Sequence, residues 1–212
     1  DDERRKLDRA SIRGCISAIK NLFDHPIFQR MQTLSIEQIL SSNTRIDLSK
    51  VVDDGVRFVV TETLLRMIFN ALRQLGPIPV YPADDSERFR IFIIIDEAKI
   101  LSMGRGDPNG RDRILNVLAT EGRKFGIGLI LASQVGDHFG DETKANISSR
   151  LVLKPMDFNE AKKNAKDVQL APEKVANLRG FGDGFFLSGA NGRAIRVQVQ
   201  PIKKIGRASC RE

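Results

Sequence analysis

Cysteine is scarce. The 212 residues contain only Cys15 and Cys210, near opposite ends, which leaves no disulfide framework and no thiolate metal spacing. That usage fits a reducing compartment, and the chain is expected to be cytoplasmic. Histidine is as rare: His25 and His138 lie far apart without cysteine partners, so a zinc site is not expected. Tryptophan is absent and Tyr81 is the single tyrosine, while the twelve phenylalanines sit in apolar contexts. Stacking platforms for single-stranded nucleic acid therefore have no material to build on. No G-x-S-x-G elbow offers an activated nucleophile. The longest apolar run, Ile91–Ile95, is far short of the roughly 20 residues that span a bilayer. No apolar leader opens the chain, and a soluble protein without a membrane segment is expected.

The composition itself is ordinary for a globular protein: 41% hydrophobic and 29% charged residues, with 17 glycines and 8 prolines. With roughly 100–200 residues per domain, one domain with an appendage is expected. The net charge of +7 is unevenly placed. Residues 193–212 hold Arg193, Arg196, Lys203, Lys204, Arg207 and Arg211 against Glu212, so the remainder of the chain is nearly balanced. A basic end favours anionic partners, although any solvated terminus can carry such charge.

Three segments follow from pattern. Residues 1–43 form a helical amino-terminal segment, in which Leu7, Ile12, Cys15, Ile16, Ile19, Leu22 and Phe23 recur on one helical face before Pro26. Within it, Ser35 and Gln38 form a capping pattern for a second, short helix. Residues 44–200 read as an α/β domain and 201–212 as a basic tail, its end from Gly206 onward read as vector-derived. In the α/β domain a short strand is expected at 44–48 and a long helix at 56–75, closed by Gly76-Pro77. Ile91–Ile95 has no polar alternation and reads as a central strand buried on both faces. A helix at 111–121, a strand at 128–132, a strand at 150–154, a helix at 157–166 and a helix opening at Pro172 follow. Strands at 184–187 and 194–200 close the chain. Alternating strands and helices imply a three-layer α/β fold with a mostly parallel sheet flanked by helices.

The informative chemistry begins at IFIIIDEAKIL, residues 91–101. A dry strand delivers Asp96 and Glu97 to the carboxyl edge of a parallel sheet, where α/β folds bind ligands. Such a pair can hold a magnesium ion and polarise a water; a strand ending in two solvated acids reads the same. The segment ATEGRKFGIGLILASQ, 119–134, places Gln134 at the end of the next apolar strand. If the two strands are neighbours, its amide emerges beside the acids, where it can orient a water or a phosphate oxygen without adding charge; a polar cap on a strand reads the same.

The order IFIIIDEAKIL, EGRKFGIGLILASQ, NISSRLVLK, GFGDGFFLSG and IRVQV, together with the upstream TRIDLSKVVDDGVRFVVTETLLRMIF, resembles the carboxyl-terminal portion of the HerA/FtsK superfamily of RecA-like motor ATPases, closest to its HerA-like branch. The resemblance covers about residues 44–200. It implies a RecA-like P-loop NTPase core, truncated at its amino-terminal side. Asp96 then corresponds to the Walker B acid on the Mg2+ side, Glu97 to the catalytic glutamate and Gln134 to the sensor glutamine. Arg123 is the candidate arginine finger acting in trans, with Arg150 as runner-up; a surface ion pair is the ordinary alternative for each. The implied partners are further copies in a ring, a hexamer in such motors, and double-stranded DNA.

One element of the pattern is missing. A phosphate-cradling loop requires G-x-x-x-x-G-K-[ST], and no such string occurs in these residues. ATP and Mg2+ are therefore expected for a longer parent protein, and little or no ATP binding for this chain alone. The loop SMGRGDPNGRDR carries Arg105, Arg111 and Arg113 on glycines and is the candidate DNA contact, a solvated loop being the plain alternative. The functional expectation is an ATP-driven DNA translocase or helicase. The alternatives are a ring-assembly module that recruits a nuclease or other effector, and the core of a secretion or conjugation ATPase.

Overall fold

A computed structural model describes residues 2–29, 35–102, 114–134, 139, 141–180, 182–189 and 192–200. The elements are α1 (Asp2–Phe23), α2 (Ile36–Ser41), α3 (Asp54–Gln74), β1 (Ile91–Ile95), α4 (Ile114–Glu121) and β2 (Ile127–Leu131), then α5 (Asp141–Asn146), β3 (Ser149–Leu153), α6 (Phe158–Asp167), α7 (Pro172–Ala176), β4 (Asp183–Ser188) and β5 (Ala194–Gln198). No helix among the described residues is long and apolar enough to cross a membrane.

β1 and β2 pair in parallel, with Ile91 opposite Ile127 and Ile95 opposite Leu131. One face of this pair carries Ile91, Ile93 and Ile95 onto α3 and α4, where Leu65, Ile68, Phe69, Leu72, Leu115 and Leu118 form the main core. Phe69 and Phe125 meet edge to face at 5.6 Å, and Leu118 is 2% exposed. Truncating such a leucine to alanine costs about 2–5 kcal/mol. α2 joins this core through Ile36, Ile39 and Leu40. Its amino terminus carries the expected reciprocal cap: the Gln38 N–H donates to Ser35 Oγ and the Ser35 N–H to Gln38 Oε1.

Two sequence expectations need correction. Residues 44–48 form no strand; Asp47 turns the chain by accepting the Ser49 N–H at 2.9 Å, and Ile46 is exposed, so no ladder partner and no burial reward extension. β1 is not buried on both faces either. Phe92 is 60% and Ile94 70% exposed, because among the described residues no helix covers that side. Phe92 lies instead across Gly128, its register partner, where an added Cβ would come within 2.4 Å of the ring.

The last three strands form a separate antiparallel sheet in the order β3-β4-β5. Its inner face places Val152, Phe185 and Ala194 on α6 and α7 around Ala161, Ala165, Val168 and Val175. At its rim Asp183, 5% exposed, accepts a two-pronged grip from Arg196, Nε at 2.9 Å and Nη2 at 2.6 Å. The Arg179 N–H donates to the same carboxylate at 2.8 Å. The Arg196 guanidinium first, and the Arg179 N–H second, hold Asp183 well below the usual carboxylate range against the opposing effect of burial. Gly182 is needed beside it: its φ is 84°, and a Cβ there would sit 2.3 Å from the Val199 carbonyl oxygen.

Candidate functional site

The parallel register brings the carboxyl ends of β1 and β2 together, and two backbone bonds lock them beyond the strands. The Ala132 N–H donates to the Ile95 carbonyl and the Ala98 N–H to the Ala132 carbonyl, both at 2.9 Å. Residues 96–98 and 132–134 therefore leave the sheet side by side. Asp96, Glu97 and Gln134 are all exposed at this edge. The strand alternation would send successive side chains to opposite faces, but Glu97 breaks it with a left-handed backbone, φ 52°. That turn ends β1, opens the short 3-10 helix Ala98–Ser102, and aims Glu97 at Gln134, whose Nε2 donates to Glu97 Oε1 at 3.1 Å. Asp96 accepts the Glu97 N–H at 3.0 Å, which orients its carboxylate at the same corner.

Chemically this is a pair of adjacent carboxylates with a neutral amide donor fixed on one of them. Magnesium takes one or two carboxylates and draws its remaining ligands from water and phosphate. Two exposed carboxylates, each with an oxygen beyond its bond within the cluster, fit that demand.

The arginines divide. Arg123 is exposed in the 3-10 turn Gly122–Phe125, which enters β2 from its amino end. The five residues of β2 span about 13 Å at ~3.3 Å per residue, so Arg123 lies at the opposite end of the strand from Gln134. Arg150 is half-buried, its Nη1 donating to the Asp167 carbonyl at 3.1 Å and its Nη2 to the Lys144 carbonyl at 2.6 Å. Within this chain it ties β3 to the ends of α5 and α6. Arg105, Arg111, Arg113 and His138 lie outside the described residues.

Sequence reasoning did not anticipate the left-handed Glu97 or the Asp183–Arg196 grip. The first has no local sequence signal, since glycine or asparagine normally marks that backbone. The second joins residues 13 apart through the β4–β5 register; the glycine-bracketed GFGDG followed by IRV was the available hint.

Parallel strands with helices packed on the sheet, and an acid pair and an amide at its carboxyl edge, give the fold of a RecA-like α/β core. Comparison with known proteins agrees. No family model matches the chain. The DNA double-strand break repair helicase HerA of Pyrococcus furiosus is 29% identical over 99 residues, which are 45% of this chain and 17% of that protein. The genome packaging NTPase B204 of Sulfolobus turreted icosahedral virus 2, solved with ATP-gammaS, superposes with a TM-score of 0.51 at 18% identity, covering 81% of this chain and 74% of its own. The plasmid coupling protein TrwB, in complex with a non-hydrolysable GTP analogue, gives 0.51 at 15% identity over 74% of this chain and 40% of its own. The chain thus shares the RecA-like fold of these ATPases, and over 99 residues its sequence is similar to that of HerA, of whose length it spans less than a fifth.

Proposed function

We propose that this chain is the distal part of the motor domain of an ATP-driven DNA translocase or helicase of HerA type, contributing half of an ATP site. The observation that carries the reading is the meeting of Asp96, Glu97 and Gln134 at one sheet edge, with Gln134 bonded to Glu97 at 3.1 Å. In this reading Asp96 would hold Mg2+, which would supply positive charge against the nucleotide phosphates. Glu97 accepts a proton from the attacking water, and Gln134 fixes the carboxylate so that the accepting oxygen has one direction. The phosphate cradle comes from sequence outside these residues, because none of them supplies its glycine-lysine signature. Arg123, a full strand length from this corner, serves a neighbouring copy's site in a ring. DNA is the favoured polymer because the aligned relative is named a DNA repair helicase and a structural neighbour a genome packaging NTPase.

The test is ATP hydrolysis by the complete protein carrying Glu97→Gln. Steady-state turnover should fall by at least about 10²-fold, the lower end of what a positioned general base contributes, while nucleotide is still bound. Turnover at the wild-type rate would remove Glu97 from the chemistry.

A second reading, a ring-assembly module with hydrolysis secondary, draws on one observation. Ile12, Ile16, Ile19 and Phe23 of α1, spaced by four, three and four, are all more than half exposed. Mass measurement of the complete protein with and without nucleotide separates the two: rings that form regardless of nucleotide favour assembly.

A further inference from the structure

The rim of the antiparallel sheet carries a second charged constellation, remote in sequence from Asp96 and Gln134. Arg196 presents its guanidinium from β5 with 52% of the side chain exposed, yet it is fixed from behind by Asp183, whose side chain is 6% exposed. The grip uses Nε and one terminal nitrogen, and a guanidinium has five N–H donors, so outward-facing donors remain. Arg179, whose N–H holds the same carboxylate, is exposed and lines the same open concavity with Asp183, Arg196, Val197 and Gln198. Lys154, at the end of β3, lies over the adjoining Gly180: a Cβ added there would meet the lysine Cδ at 3.4 Å. Arg179 and Arg196 thus lie beside one carboxylate, which is already spent on orienting Arg196, and Lys154 stands by the adjoining glycine.

A guanidinium held in a planar fork loses little freedom on binding and matches the oxygen spacing of a phosphate. Among the described residues, no aromatic side chain lines the concavity. We propose that Lys154, Arg179 and Arg196 form a phosphodiester-binding cleft that grips the nucleic-acid backbone without reading sequence. The partner class rests on the DNA reading above, but the site is separate from the acid pair and its test involves no hydrolysis.

The experiment is a fluorescence-anisotropy titration of this chain against a labelled duplex of about 30 base pairs, a length that leaves room for several phosphate contacts, at several salt concentrations. The logarithm of the binding constant should fall linearly with the logarithm of salt. Arg179→Ala and Lys154→Ala should each weaken binding and reduce the slope by about 0.9, the value for one lost phosphate contact. Arg196→Lys keeps the charge and a partner for Asp183 but loses the fork, and should weaken binding at nearly constant slope. Arg73→Ala, on α3, controls for net charge, and a duplex of unrelated sequence should bind equally. Circular dichroism confirms that each variant is folded. The proposal is overturned if the wild-type chain does not bind the duplex at low salt, if the Arg179 and Lys154 variants shift no more than the Arg73 control, or if millimolar ATP or inorganic phosphate displaces the duplex as well as unlabelled DNA does. None of these outcomes bears on the Glu97→Gln result, and an inactive acid pair would leave the cleft measurement unchanged.

Discussion

Glu97 offers a prediction whose sign opposes the general rule. Its φ of 52° places a side-chain-bearing residue in the left-handed region, at a cost of about 1–2 kcal/mol through the clash of Cβ with the following carbonyl. Glycine escapes that clash but gains unfolded-state freedom worth about 0.4–1 kcal/mol. Glu97→Gly and Glu97→Ala both delete the acceptor of the Gln134 amide, so that loss cancels between them. What remains favours glycine over alanine by about 0.7 kcal/mol, whereas in a helix interior alanine leads by about 1 kcal/mol. With a urea m-value of about 2.5 kcal/mol/M, the glycine variant should unfold at a midpoint about 0.3 M higher than the alanine variant. Thermal denaturation should separate them by about 2 °C. Thr63, exposed in α3, provides the control pair, in which Thr63→Ala should be the more stable. If Glu97→Ala equals or exceeds Glu97→Gly while the Thr63 pair behaves normally, the turn after β1 is not strained and the account of how Glu97 reaches Gln134 fails.

The two arginines should separate by stability. Arg150→Ala should cost about 2 kcal/mol in chemical denaturation, since it removes charge-assisted bonds to two partly enclosed carbonyls, whereas Arg123→Ala should change stability by less than about 0.5 kcal/mol. In the complete protein, Arg123→Ala should nevertheless abolish ATP turnover; retained turnover would withdraw it as the finger. Asp183 sets an acid response. Its folded carboxyl titrates below its unfolded value, so its contribution is intact above about pH 4 and is lost as pH falls toward and through the folded value. Wild-type stability should therefore decline more steeply between about pH 4 and 2 than that of Asp183→Asn, and parallel curves would contradict the assignment.

What the sequence made legible is what depends on near neighbours. The period of α3, the Ser35–Gln38 cap, and the strands β1 and β2 with their terminal acids and amide could be read within short windows, because local sterics and hydrophobic spacing decide them. Features set by distant partners could not. The ends at 44–48 needed a strand to pair with, and the exposure of Phe92 and Ile94 depends on what lies over a sheet face. The fate of Arg150 is decided by where the ends of α5 and α6 come to rest, and no spacing rule connects residue 150 to carbonyls 144 and 167.

The geometry also constrains how a site of this kind could work. Asp96, Glu97 and Gln134 share the carboxyl edge of β1 and β2, whereas Arg123 stands at the amino edge, beyond the whole length of β2. A side chain reaches about 6–7 Å at most, on the same scale as two residues of extended chain, and cannot cover that separation within one copy. If Arg123 stabilises charge on a transferring phosphoryl group, it does so for another subunit, and turnover then depends on assembly as well as on nucleotide. The exposed apolar stripe of α1 and the uncovered faces around Phe92 and Ile94 are surfaces that such an assembly, or further chain, would have to bury. The acid corner, by contrast, is organised within this chain: backbone bonds at residues 95, 98 and 132 and the Gln134–Glu97 contact form without any partner. On the proposed roles, this division would put preorganisation of the water-activating group inside the subunit and completion of the charge-stabilising set between subunits, so that hydrolysis would be licensed by contact.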